Sequence, residues 1–140
     1  MTSPDLAPLE NLAKIGKLKA EPPDARESAG LIRSAAVRLK DARNTALSIE
    51  SRFDLAYNAA HSAALAALRA AGFRSDNRYL VFQCLAHSLG LPAAEWVLLN
   101  QAHTKRNLAE YEGDLDVTDS FVAELIEQVE RVIAAVQNRS

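Results

Sequence analysis

The chain of 140 residues has few of the residues that bend or cross-link a polypeptide: five glycines, five prolines and one cysteine. The single cysteine, Cys84, excludes an intramolecular disulfide, and because it lies in an apolar run we expect it to be buried. No stretch approaches the roughly 18 apolar residues of a membrane span, and the first residues lack a signal-peptide pattern. We therefore expect a cytoplasmic protein that does not enter a membrane.

The sequence also lacks an excess of either charge. Its 16 basic and 18 acidic residues give a net charge of −2, which excludes a broad basic field but not a local basic cleft. The three histidines form no recognised metal motif, and there is neither a glycine-rich phosphate loop nor a nucleophile elbow. We expect no metal and no cofactor.

Glycine and proline separate long stretches of helical spacing, and no segment alternates with a period of two. The pattern predicts an all-α, up-and-down bundle of about five helices. The predicted organisation is a leader at 1–23, with a short helix ended by Pro22-Pro23, and a bundle domain at 24–140. The predicted helices lie near residues 25–46, 51–71, 76–89, 92–111 and 119–137.

Capping signals support these boundaries. Asp24, Ser75 and Thr118 are predicted N-caps, and Ser51 with Asp54 fits a capping pattern for the second helix. Glycines are expected to end the helices, including Gly72, Gly90 before Pro92, and Gly113.

The fourth predicted helix carries the polar pattern of most interest. Trp96, Leu99, His103, Arg106 and Glu110 follow steps of three and four, so they share one helical face. That face begins apolar and ends polar, whereas a solvated helix usually keeps its polar residues opposite its apolar stripe. The pattern predicts a cleft or an interface at this end of the helix.

Each polar residue of this face has a simpler interpretation. Arg106 and Glu110 are spaced as a surface ion pair worth a few tenths of a kcal/mol. His103 is either a general base, with an unperturbed pKa near 6.5, or a structural residue. His61 and His87 are expected to be packing residues.

The segment Arg-Asn-Leu-Ala-Glu-Tyr at 106–111 resembles the signature of HEPN domains, the higher eukaryotes and prokaryotes nucleotide-binding helical bundles. Residues 52–61, followed by the alanine-rich run to Gly72, are similar to the second helix of that family. Nuclease members of the family place a histidine four to six residues after the arginine. Here Tyr111 stands five residues after Arg106, and a phenol with a pKa near 10 is a poor base at neutral pH.

The resemblance implies a homodimer in which two such arginines meet in one cleft, and a ligand that is RNA or a nucleotide. It also implies a protein partner such as an antitoxin, within a toxin–antitoxin or defence module. The ligand-binding residues would be Arg106, Asn107, His103 and Glu110. Arg106 and Tyr111 would be catalytic if the protein is an enzyme. The alternatives are a metal-independent endoribonuclease and a non-catalytic protein-interaction module.

Overall fold

The computed structural model describes residues 5–138, and nearly all of the regular structure is helical. In chain order the helices are α1 Ala7–Lys14, α2 Ala25–Ala42, α3 Ile49–Ala70, α4 Arg78–Gln83, α5 Leu85–Ser88, α6 Val97–Glu112 and α7 Asp119–Gln137. Two short antiparallel strands pair, β1 Lys19–Ala20 and β2 Phe73–Arg74. The predicted all-α helical bundle is confirmed. Residues 1–4 of the predicted leader and 139–140 of the predicted bundle domain lie outside the described residues.

Helix α3 forms the centre of the bundle. Helices α2 and α7 pack along it, and α4, α5 and α6 also contact it. Its alanines at 56, 60, 63 and 64 are fully buried, and small side chains allow neighbouring helices to approach closely. Helix α7 contributes a buried aliphatic stripe that includes Val122, Leu125, Val129 and Val132. Each fully buried Val or Leu side chain stabilises the fold by about 1.5–3 kcal/mol.

The capping predictions for the first and last major helices are confirmed. Asp24 accepts hydrogen bonds from the backbone N–H groups of the first turn of α2, and Thr118 does the same for α7 at 3.0 Å. The prediction for α3 is wrong, because Ser48 is its N-cap and accepts from the N–H of Ser51 at 3.1 Å. Helix α2 ends at Ala42 rather than near residue 46, since Asn44 folds the following segment into a turn with its side-chain oxygen.

The third predicted helix, 76–89, is two short helices that meet at the buried Cys84. The N-cap of α4 is Asn77, not Ser75. The Ser75 hydroxyl instead accepts from the N–H of Asn77 at 3.0 Å. This local turn delays the helix start by two residues.

The fourth predicted helix is also interrupted. A 3₁₀ turn at Ala93–Glu95 precedes α6, and Trp96 leaves the helical conformation between them. The buried amide of Gln128 on α7 explains the break: it accepts from the N–H of Leu98 at 2.9 Å and donates to the carbonyl of Ala94 at 3.0 Å. A side chain from another helix thus satisfies backbone groups that a continuous helix would pair internally.

The leader packs into the same hydrophobic core as the bundle, since Leu9 and Leu18 are buried in it. Arg69 of α3, with 1% of its side chain exposed, holds the leader in place. Its guanidinium donates to the Glu27 carboxylate at 2.8 Å and to the carbonyl oxygen of Pro22 at 2.8 Å. A buried arginine is tolerated here because its donors are matched by oxygen acceptors.

Candidate functional site

His103 of α6 points toward α3 and α4. Its Nδ1 lies 2.9 Å from the hydroxyl oxygen of Tyr57 on α3, and its Nε2 lies 3.1 Å from Nδ2 of Asn107. Its ring also contacts Phe82, with the centroids 6.1 Å apart in an edge-to-face arrangement, and Tyr79, at 5.8 Å. Packing and hydrogen bonds therefore fix the orientation of the imidazole.

The environment favours the neutral form of this imidazole. Burial lowers the pKa of His103 below the ordinary 6.5, and the charges of Arg106 and Arg78 lower it further. In the neutral ring one nitrogen donates and the other accepts. Because the Asn107 amide donates to Nε2, Nδ1 carries the proton and donates to the Tyr57 oxygen.

Two arginines from different helices meet at the Tyr57 ring. The guanidinium carbon of Arg106, on α6, lies 5.0 Å from the ring centroid, and that of Arg78, the first residue of α4, lies 5.5 Å from it. These are cation–π distances. Both guanidinium groups therefore contact the same ring, although their like charges repel.

The two arginines differ in how their charge is balanced. Arg106 forms an ion pair of 3.2 Å with Glu110, whose side chain is 62% exposed. Such surface pairs contribute about 0–1 kcal/mol and are readily exchanged. Arg78 donates to the neutral side-chain oxygen of Asn58 at 3.2 Å, and among residues 5–138 no carboxylate forms an ion pair with it. Arg78 is therefore a cation without an acidic partner.

His61, one turn after Tyr57 on α3, completes the group. Its Nε2 is buried and has no hydrogen-bond partner within the described part of the chain. Burial, followed by the charges of Arg78, Arg106 and His103, lowers the pKa of His61 to about 4. We refer to Arg78, Arg106, His61 and His103, grouped around Tyr57, as the arginine–histidine cluster. It is a local concentration of basic groups in a chain whose net charge is −2.

One cavity adjoins this cluster, and another lies apart from it. Arg106 lines a small pocket of about 250 Å³ together with three acidic residues, Glu50, Asp54 and Glu110, and three apolar ones, Phe53, Ala109 and Leu115. A larger cavity of about 760 Å³ has a lining that is mostly alanine and other apolar residues from α2, α3 and α7, with the single cation Arg33. The larger cavity has no convergence of cations, so the arginine–histidine cluster is the stronger candidate site.

The structure brings four of the five predicted site residues together. His103, Arg106 and Asn107 are in or next to the cluster, and Glu110 is ion-paired to Arg106. Tyr111 lies apart: its side chain is 93% exposed and makes no hydrogen bond to any described residue. The predicted ligand-binding residues thus form one group, which Tyr111 does not join.

Sequence reasoning missed three members of the site. Tyr57 lies within the segment compared with the HEPN family, but nothing in the pattern marked it as a partner of His103. His61 is predicted to be a hydrogen-bonded packing residue; its ring does pack edge-to-face against Phe82, but its Nε2 has no hydrogen-bond partner in the described chain. Its spacing of four from Tyr57 was the available signal for its place in the cluster. Arg78 had no local signal, because it reaches the site from a different helix.

The described residues contain no group of three or more His, Cys, Asp or Glu side chains that could hold a metal ion. Between residues 5 and 138, no helix is both long enough and apolar enough to cross a membrane.

No known protein family, curated protein or solved structure matches this chain.

Proposed function

We propose that this chain is a HEPN-like helical protein that binds RNA or a nucleotide through a phosphate held at Arg106, with His103 and Asn107 beside it. The observation that carries the proposal is the convergence of Arg78 and Arg106 on one aromatic ring, with no acidic partner for Arg78 among the described residues. An anion at this place would balance the charge of Arg78, and at Arg106 it would have to displace Glu110.

The chemistry of the cluster suits phosphate. A guanidinium offers a rigid fork of donors that matches phosphate oxygens in a bidentate manner. The side chain of Arg106 is 32% exposed, so it is accessible, yet it lies against a buried tyrosine ring where the effective dielectric is below that of water. A bound phosphate would exchange with Glu110, whose exposed carboxylate holds Arg106 only weakly.

The proposal includes a two-fold homodimer with α6 near the axis. Leu108 and Tyr111 are exposed apolar side chains on neighbouring turns of α6, and a two-fold contact would cover both copies of each. Leu108 and Tyr111 lie on the side of α6 opposite Arg106, so the cleft with two Arg106 side chains that the HEPN resemblance implies would need a contact on the other face of this helix. A protein partner such as an antitoxin, in a toxin–antitoxin or defence module, would also fit the face of Leu108 and Tyr111. A monomeric mass in light scattering at micromolar concentration would contradict the dimer.

Binding is tested by the substitution Arg106→Ala. Loss of a charged hydrogen bond costs about 1.5–3 kcal/mol, so we expect the Kd for a fluorescent oligouridine to rise by about 10- to 150-fold. Arg106→Lys should recover part of the affinity, because lysine lacks the bidentate fork. The matched control is Arg26→Ala, which removes the same charge from the exposed face of α2.

The result that opposes the proposal is equally specific. If Arg106→Ala keeps the helical circular dichroism signal and binds oligouridine like the wild type, the polar cluster is a structural network. The chain would then be better described as a non-catalytic protein-interaction module.

A metal-independent endoribonuclease is the second candidate, and the neutral state of His103 favours it. In such a reaction the ribose 2′-hydroxyl attacks the neighbouring phosphate, its proton passes to a base, and the bond to the 5′-oxygen breaks. However, Nε2 of His103 already accepts from Asn107, so the ring has no free lone pair unless that amide turns away. Incubation of labelled RNA with the protein in chelator separates the candidates: binding without cleavage supports the first, and cleavage lost in His103→Gln supports the second.

A further inference from the structure

Tyr79 is an exposed aromatic ring next to the arginine–histidine cluster. It follows Arg78 directly in the first turn of α4, and its side chain is 46% exposed. Its ring lies 5.8 Å from the His103 ring, tilted by 35°. One part of the ring is therefore supported by a fixed imidazole while another part remains open to solvent.

This position places a flat apolar surface beside two cations. Arg78 and Arg106 both lie within 5.5 Å of the Tyr57 ring centroid. The Tyr79 ring contacts the His103 ring, and His103 is hydrogen-bonded to the same Tyr57 that Arg106 contacts. A ligand with a planar base at Tyr79 and a phosphate at Arg106 would therefore lie across His103.

We propose that the ligand of the cluster is single-stranded RNA, with an unpaired base stacked on Tyr79 and an adjoining phosphate at Arg106. The inference rests on the proposed function, which supplies RNA as the ligand class, and it adds the strandedness of the RNA and the residue that contacts the base.

Strandedness follows from the chemistry of the two contacts. In the interior of an RNA duplex each base is covered by its stacked neighbours, so only the two terminal base pairs offer a face to a protein ring. An unpaired base offers its face at any position, and stacking on an aromatic side chain tolerates any base identity. The phosphate contacts alone would accept either form, whereas the Tyr79 contact favours the single strand.

The experiment compares four variants with the wild type in anisotropy titrations at fixed salt. Two remove the aromatic face: Tyr79→Ala, and Tyr79→Leu, which keeps an apolar contact to His103. Tyr79→Phe retains a stacking surface. The control is Val37→Ala, which truncates a similarly exposed apolar side chain on α2. The probes are a fluorescent oligouridine, a blunt RNA duplex of equal length, and ribose 5-phosphate as an unlabelled competitor without a base.

The expected results follow from the loss of one base stack. The oligouridine Kd should rise by about tenfold or more in Tyr79→Ala and Tyr79→Leu, and it should stay within about twofold in Tyr79→Phe and Val37→Ala. The wild type should bind the single strand more tightly than the duplex. Competition by ribose 5-phosphate should be equal in the wild type and Tyr79→Ala, because this probe has no base to stack.

Two outcomes would overturn the inference, and they differ from failure of the proposed function. If Tyr79→Ala and Tyr79→Leu bind oligouridine like the wild type while Arg106→Ala still weakens binding, the site binds phosphate without contacting a base. If the duplex binds as well as the single strand, the proposed strandedness is wrong. If the wild type binds neither RNA, or Arg106→Ala has no effect, the proposed function itself fails.

Discussion

Acidification from pH 7 to pH 4 should destabilise this protein through His61 before its carboxylates are protonated. The pKa of His61 is lowered from 6.5 to about 4 in the folded protein. Between these two values the unfolded chain carries a proton on this imidazole and the folded chain does not. Stability therefore rises with pH across this window and is lost as the pH falls from about 6.5 toward about 4.

The size of the effect can be bounded from the shift. One pKa unit corresponds to about 1.4 kcal/mol, so the full shift would amount to about 3 kcal/mol. His61 is only partly buried, and solvent screening reduces the conversion, so we expect a loss of about 1–2 kcal/mol. The pKa of His103 is lowered as well, so this imidazole adds to the loss as the pH falls below about 6.5.

The assay is urea denaturation followed by circular dichroism at pH 7, 6, 5 and 4, with wild type and His61→Leu compared. Leucine removes the titrating group and loses no hydrogen bond at the buried Nε2, which has no partner in the described chain. The variant should show a shallower dependence of unfolding free energy on pH, whereas Val37→Ala should match the wild type. A wild-type protein as stable at pH 5 as at pH 7, or an unchanged slope in His61→Leu, would refute the reasoning.

Two further predictions concern the frame that holds the site. Arg69→Met should lower the unfolding free energy in urea by about 3 kcal/mol, because it leaves the Pro22 carbonyl without its buried donor and the Glu27 carboxylate with Arg74 as its only partner among the described residues. A loss as small as that of Arg26→Ala would contradict the role of Arg69. Gly113→Ala should lower the free energy of unfolding by about 1 kcal/mol. Gly113 ends α6 at φ +75°, where a Cβ has space but an alanine backbone is strained. Equal melting temperatures of the variant and the wild type would contradict this.

The parts of the fold that depend on neighbours in sequence were predictable. Helical periodicity marked the major helices, and Asp24, Thr118 and Gly113 were identified as helix ends because caps act within one turn. The break before α6 was not predictable, since it depends on Gln128, about 30 residues further along the chain. The strands were missed because pairs of two residues are too short to show a period.

In the candidate site, the residues on α6 were likewise predictable from the sequence, and those from α3 and α4 were not. His103, Arg106 and Asn107 share α6, so steps of three and four placed them together from the sequence alone. Tyr57 and Arg78 reach them from α3 and α4 only when the helices pack. Contacts between helices leave no periodic pattern in a single sequence, so the meeting of Arg78 and Arg106 at Tyr57 is seen only in the folded structure.

Burial, and after it the charges of Arg78 and Arg106, makes His61 sensitive to acid, and the same two charges mark the proposed binding site. Burial and these charges together favour the neutral form of both imidazoles. Arg78 has no acidic partner among the described residues and is held only by Asn58 and the Tyr57 ring. Local conflicts of this kind are expected at functional sites, where stability is given up for binding. The unbalanced charge is thus the physical reason to look for the ligand at Tyr57 rather than in the larger, apolar cavity.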